Sequence, residues 1–239
     1  NDSIGELYKK YINGESTAIG SLKNNHFYNL NKSQASDDLV VFISVIRSKT
    51  DKILFLKKDG TPVYWGEFFK IDFLVLDWLA EWCEKKNKKL IICSSGRDTI
   101  KDNVDFRLVL NKYNLNWKIS PRDSNFKSYE TINKAGLVVN TISTLGYEAF
   151  SNGKKTAFFT GRGKWLNIEG RSFGWPLKMP KKGKFWCDDP EKLEFLKIMN
   201  NLNTLSIEEW ADIQIKYADL VMKRNPSNTI FKNILRELV

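Results

Sequence analysis

GLVVNTISTLGYEAFSNGKKTAFFT, residues 136–160, is the stretch on which the reading of the fold turns. Its first six residues are apolar and rich in β-branched side chains, the pattern of a strand buried on both faces of a parallel sheet. Residues 143–153 open with Ser143 and Thr144 and end on Gly153, which are start and stop signals for a helix. KKTAFFT (154–160) then reads as a second strand. A strand, a helix and a strand joined this closely form one crossover unit of a parallel sheet.

The alternation extends in both directions. DLVVFISVI (38–46), KLIICSS (89–95) and LNWKIS (115–120) read as strands, and 47–66 as a loop or hairpin around Asp59-Gly60 and Pro62. The spacing predicts helices over 67–87, 102–114 and 124–135. Three terminal helices follow a loop-like stretch from Gly161 to Gly183. This is the signature of a doubly wound, mostly parallel α/β sheet. Ahead of it, 3–12 reads as a helix, TAIG (17–20) as a short strand, and the polar, Asn- and Ser-rich stretch after it as a linker.

Composition narrows the function classes. The chain has 239 residues, 42% hydrophobic and 13% aromatic, ample for a packed core. Lys+Arg 38 against Asp+Glu 28 gives a net +10, an excess that attracts phosphorylated ligands, polyanions or anionic lipid. The basic residues are scattered as Lys-Lys pairs, so a dedicated nucleic-acid reader is disfavoured. Cys83, Cys93 and Cys187 have no metal-ligand spacing and read as reduced thiols of a cytosolic protein, and His26 is the only histidine. No metal site is expected. No apolar run approaches the length of a membrane span. The chain opens at Asn1 without a methionine, which reads as a trimmed piece or fragment.

In open α/β sheets ligands bind beyond the carboxyl ends of the strands. Those ends carry, in order, Ser44, Arg47 and Ser48; Ser94, Ser95, Gly96, Arg97 and Asp98; Ser120, Pro121 and Arg122; Asn140, Thr141, Ser143 and Thr144; and Thr160, Gly161, Arg162 and Gly163. Each end alone is equally well read as a chain turning into solvent. Five polar ends at one rim favour a phosphate-bearing ligand. The helix starting near Ser143 offers free amide N–H groups and a positive dipole end. Ser143 and Thr144 cap it or donate to phosphate, Gly146 lets a ligand approach the backbone, and Glu148 is placed to accept from ribose hydroxyls. The competing reading is an ordinary capped helix with a solvent-facing glutamate. Asp188 and Asp189 read as caps of a helix over 190–201.

The pattern strand–T-x-S-T-L-G-Y-E-A-x-x-x-G-K-K–strand resembles the carboxyl-terminal half of GT-B glycosyltransferases, and more narrowly the transferases of bacterial O-antigen and capsule synthesis. GSLKNN (20–25), SGRD (95–98), FGWP (173–176), KGKFW (182–186) and the EEW…NPSNTIF tail fit the narrower group. The resemblance implies a nucleotide-sugar donor (CMP-, UDP-, GDP- or dTDP-linked), a glycan or lipid-linked acceptor, no permanently bound cofactor and no metal. It implies that residues 1–37 are the end of a preceding acceptor domain plus a linker, and that 38–239 form the donor domain. Ser143, Thr144 and Gly146 would then hold phosphate, Glu148 ribose, and Ser120 and Pro121 the base, with Ser95 and Gly96 also among the donor-binding residues. Arg97 and Arg122 would stabilise the leaving nucleotide. Tyr129 would line the pocket, and Arg47 would touch the donor or sit in a surface ion pair. The protein would be cytoplasmic, with peripheral contact at an anionic inner membrane. An epimerase of the UDP-N-acetylglucosamine 2-epimerase type and a non-catalytic domain docking on anionic membranes or polymers are the alternatives.

Overall fold

The computed structural model describes residues 2–30, 35–94, 106–121, 126–168 and 170–237. In chain order the elements are α1 (Asp2–Tyr8), α2 (Leu22–Leu30), β1 (Ser36–Ile43), β2 (Phe55–Leu56), β3 (Pro62–Val63), α3 (Trp65–Lys85) and β4 (Lys89–Cys93). After a helical segment over 106–110 (α4) come β5 (Trp117–Ser120), α5 (Lys127–Asn133), β6 (Ala135–Asn140), α6 (Thr144–Ser151) and β7 (Thr156–Phe159). The remainder is α7 (Arg162–Trp165), β8 (Trp186–Cys187), α8 (Lys192–Thr204), α9 (Ile207–Gln214), α10 (Ala218–Val221) and α11 (Thr229–Glu237).

Six strands pair in parallel in the order β5-β4-β1-β6-β7-β8. Counted within this sheet by chain order, that is 3-2-1-4-5-6, the Rossmann arrangement. The two-residue period of β1 sends Val40 and Phe42 toward one face and Val41 and Ile43 toward the other. The first face packs on Leu76 and Leu79 of α3 with Phe195 of α8, the second on Ile132 of α5 and Ala149 of α6. All four β1 side chains are buried, each contributing about 1.5–3 kcal/mol, so both helical layers are held to the sheet from its centre.

Helix α3 buries a stripe through Phe69, Val75, Leu76, Leu79 and Cys83. Glu67 accepts the Tyr64 amide at its start (3.2 Å), and Asn87, at φ 50°, lets the chain leave at its end. The expected hairpin is β2 and β3, paired antiparallel around Asp59-Gly60. Among the described residues no helix is long and apolar enough to cross a membrane.

Four local readings need correction. TAIG forms no strand: no described strand lies beside it, and Gly20 turns the chain at φ 72°. The polar stretch read as linker carries helix α2, held by side-chain amides as well as by its buried Phe27: Asn24 bonds Asn152, Asn25 bonds Asn228, and Phe27 stacks on Phe126. A sixth strand, β8, emerges from KGKFW; two residues are too few to show a period, and pairing with Phe158 and Phe159 defines them as strand. Asp188 and Asp189 do not cap α8, whose amino-cap position is Glu191 without a side-chain bond. Asp188 instead accepts from the Thr160 hydroxyl and the Phe173 amide, and Asp189 pairs with Lys164.

Candidate functional site

The carboxyl ends of the central strands lie in register: Ser120 beside Cys93, Cys93 beside Ile43, and Ile43 beside Asn140. From β1 the chain crosses toward β4, whereas from β6 it crosses toward β7. The crossovers diverge at the β1–β6 pair, so the rim opens there, the switch point of a doubly wound sheet.

The turn entering α6 is built at this opening. Asn140, fully buried at the end of β6, accepts the Ser143 amide through Oδ1 and donates from Nδ2 to the Ser143 carbonyl, both at 3.1 Å. Ser143 caps the helix, its hydroxyl accepting the Leu145 amide at 3.3 Å. Gly146 has a different role from the one expected. A Cβ on it would lie 2.3 Å from Asn140 Cγ and Nδ2, so the missing side chain makes room for Asn140, not for a ligand.

A cleft of about 200 Å³ opens between these ends. Its polar wall comprises the hydroxyls of Ser44, Ser94, Ser128, Ser143 and Thr144 together with Glu148 and Lys23. Glu148 is not solvent-facing: it is 8% exposed and accepts the Tyr129 hydroxyl at 2.8 Å. Tyr129 lines the cleft as the sequence suggested. Lys23 was not anticipated, because α2 lies in the stretch read as linker. Its ammonium sits 5.5 Å from the ring centroids of both Phe126 and Tyr129.

Other candidates lie elsewhere. Ser120 and Pro121 end β5, two strands from β1, and do not line the cleft. The Ser120 hydroxyl is shared with that of Thr131 (2.8 Å). Ser95, Gly96, Arg97 and Arg122 lie outside the described residues. Arg47 is exposed, and its carbonyl accepts the Trp65 indole at 2.8 Å.

Arg162, which the sequence placed with the rim residues, is 2% exposed and turned into the core. Its guanidinium pairs with Asp72, donates through Nε to the Phe68 carbonyl (2.8 Å) and lies 4.5 Å over the Phe68 ring. The Thr141 hydroxyl donates to the second Asp72 oxygen at 2.6 Å. Burial pushes the Asp72 carboxyl up and the Arg162 guanidinium down, each partner opposing the other's shift. This network ties α3 to the ends of β6 and β7, beneath the turn that carries Ser143. An acid on the apolar stripe of α3, three residues after Phe69 and three before Val75, is the sequence signal that marked it.

FGWP and KGKFW are also structural. Phe173, Phe185 and Trp186 are buried, and the Gly174 amide donates to the Tyr147 hydroxyl at 3.2 Å. Burial pushes that tyrosine up to about 12. A larger depression, about 510 Å³, lies beside Ala135, Gly136 and Lys154 at the amino ends of the strands. Both of its lysine amines are occupied by backbone carbonyls, Lys154 by that of Asn133 and Lys155 by that of Leu205. The smaller cleft, at the carboxyl ends and lined by hydroxyls and a carboxylate, is the better chemical candidate.

Sheet order and switch-point cleft define the molecule as a Rossmann-like α/β protein. Over residues 1–239 it matches the family described as "putative O-antigen biosynthesis protein", and it belongs to that family. No curated protein matches it. Among solved structures it is similar to the wall teichoic acid polymerase TagF, at 13% identity and a TM-score of 0.44. The match covers 92% of this chain and 51% of that one, so the chain spans about half of the polymerase.

Proposed function

We propose that the chain is the nucleotide-sugar-binding part of a glycosyltransferase of surface-carbohydrate synthesis, with the nucleotide in the switch-point cleft. Membership of an O-antigen biosynthesis family supports the pathway class. The observation that carries the site is Glu148, buried to 8% exposure in the wall of a cleft that Ser143 and Thr144, at the capped start of the same helix, also line. A carboxylate and a helix amino end on one wall suit the two ends of a nucleotide: hydroxyls of ribose at the first, phosphate at the second.

In this reading an acceptor hydroxyl attacks the anomeric carbon of the bound sugar. The bond from that carbon to the phosphate oxygen breaks, a new bond to the acceptor oxygen forms, and the hydroxyl proton passes to a general base. The charge left on the phosphate is stabilised by the opening amides of α6 and the hydroxyls of Ser143 and Thr144. Arg97 and Arg122 are proposed to share that charge.

The test is a titration of the chain with CMP, UDP, GDP and dTDP, followed by thermal unfolding. A nucleotide at a hundredfold excess over its Kd adds about 2.7 kcal/mol of stability. Glu148→Gln keeps an oxygen for the Tyr129 hydroxyl but removes the charge. Affinity is expected to fall about tenfold, as for the loss of one charged hydrogen bond. If no nucleotide raises the unfolding temperature while anionic vesicles bind, the docking alternative replaces this reading.

A further inference from the structure

GSLKNN (20–25) is accounted for neither by the sheet nor by the α6 amino end, yet nearly every residue of it is fixed. Gly20 adopts φ 72°, and a Cβ there would lie 2.2 Å from the Lys223 carbonyl oxygen. The Ser21 hydroxyl accepts the Asn24 amide (3.4 Å) at the start of α2. Asn24 receives a 2.6 Å bond from Asn152, the residue that ends α6. Asn25 donates to the Ile19 carbonyl and to Asn228, both at 2.9 Å, and accepts the Asn225 amide at 3.1 Å. The stretch is a strap from the end of α6 to the segment before α11, and it fixes the rotation of α2 about its axis.

That rotation delivers Lys23 to the cleft. Its ammonium faces the Phe126 and Tyr129 rings at 5.5 Å each. Among the described lining residues Lys23 is the one cation and Glu148 the one carboxylate. A phosphate entering beside Ser143 and Thr144 brings negative charge into a wall that already carries Glu148. An ammonium, with three donors and a compact charge, is a fitting counter-ion for it. We propose that Lys23 is a phosphate-binding residue of this site, positioned by the 20–25 strap, and that it selects phosphorylated nucleotides over nucleosides. The proposal rests on the reading of the cleft as a nucleotide site.

Lys23→Met keeps the length of the side chain and removes its charge; Lys23→Arg keeps the charge. The full chain and both variants are titrated with CMP, UDP, GDP and dTDP and with the four matching nucleosides, at low and high salt. For whichever nucleotide the wild type binds, Lys23→Met is expected to lose about tenfold or more in affinity. Nucleoside affinity stays within about twofold, Lys23→Arg retains most nucleotide binding, and salt weakens the Met variant less than the wild type. The ligand-free unfolding temperature serves as the folding control, with Lys23→Gln as the second neutral variant should the Met form be unstable. Wild-type nucleotide binding with unchanged affinity in the neutral variants overturns the Lys23 assignment alone. An equal loss for nucleoside and nucleotide also overturns it, reducing the side chain to packing. A wild type that binds no nucleotide overturns both readings.

Discussion

Gly146→Ala separates a ligand-driven glycine from a packing-driven one. At an exposed position inside a helix the change is favourable, by about 0.5–1 kcal/mol. Here the new methyl would stand 2.3 Å from Asn140 Cγ and Nδ2 and 2.6 Å from its Cβ. Asn140 is fully buried, and its amide holds both the N–H and the carbonyl of Ser143 at 3.1 Å. It cannot step aside without breaking both bonds. Each is worth about 1 kcal/mol net, and a buried group left unbonded costs about 1–3 kcal/mol more. Overpacking of this kind costs about 1–3 kcal/mol in its own right. Set against the gain in helix propensity, the expected net loss is at least about 3 kcal/mol. Urea unfolding at constant m-value measures it. The double variant Asn140→Ala/Gly146→Ala relieves the clash, so the cycle is expected to be non-additive by at least about 1 kcal/mol. A neutral or stabilising Gly146→Ala that merely lost nucleotide binding would refute the packing argument and restore the ligand role.

Two further outcomes follow from the buried charges. Asp72→Asn leaves the Arg162 guanidinium, 2% exposed, without its counter-charge, and is expected to cost about 3–5 kcal/mol in urea unfolding, whereas Asp72→Leu/Arg162→Met together should cost much less. A single-variant loss below about 1 kcal/mol would show that the pair carries little of the link between α3 and the rim. At Asp188, burial pushes the carboxyl up, against the Thr160 hydroxyl and Phe173 amide that favour its charged form. The folded chain therefore holds that proton longer than the unfolded one. The resulting stability is full below the ordinary carboxylate range, about 3.9, and is lost as pH rises through the folded value. The wild-type advantage over Asp188→Asn should shrink as pH rises above about 4, and an advantage that grows with pH there would contradict the assignment.

The sequence by itself determined the layered architecture and the start of α6. Strands such as Val40–Ile43 and Leu137–Val139 are buried on both faces, so nearly every residue must be apolar, and that constraint is written locally. The cap at Ser143 is local too, because its partner amide lies two residues away. Tertiary structure alone decided what those residues face. Gly146 is small because of Asn140, Glu148 is buried under Tyr129, Arg162 turns inward to an acid 90 positions earlier, and β8 exists because β7 lies beside it. Lys23 reaches the cleft through amide bonds to residues more than a hundred positions away. Periodicity reports which side of a residue is dry. Which partner occupies that side depends on where the fold brings distant segments together, and no local pattern encodes it.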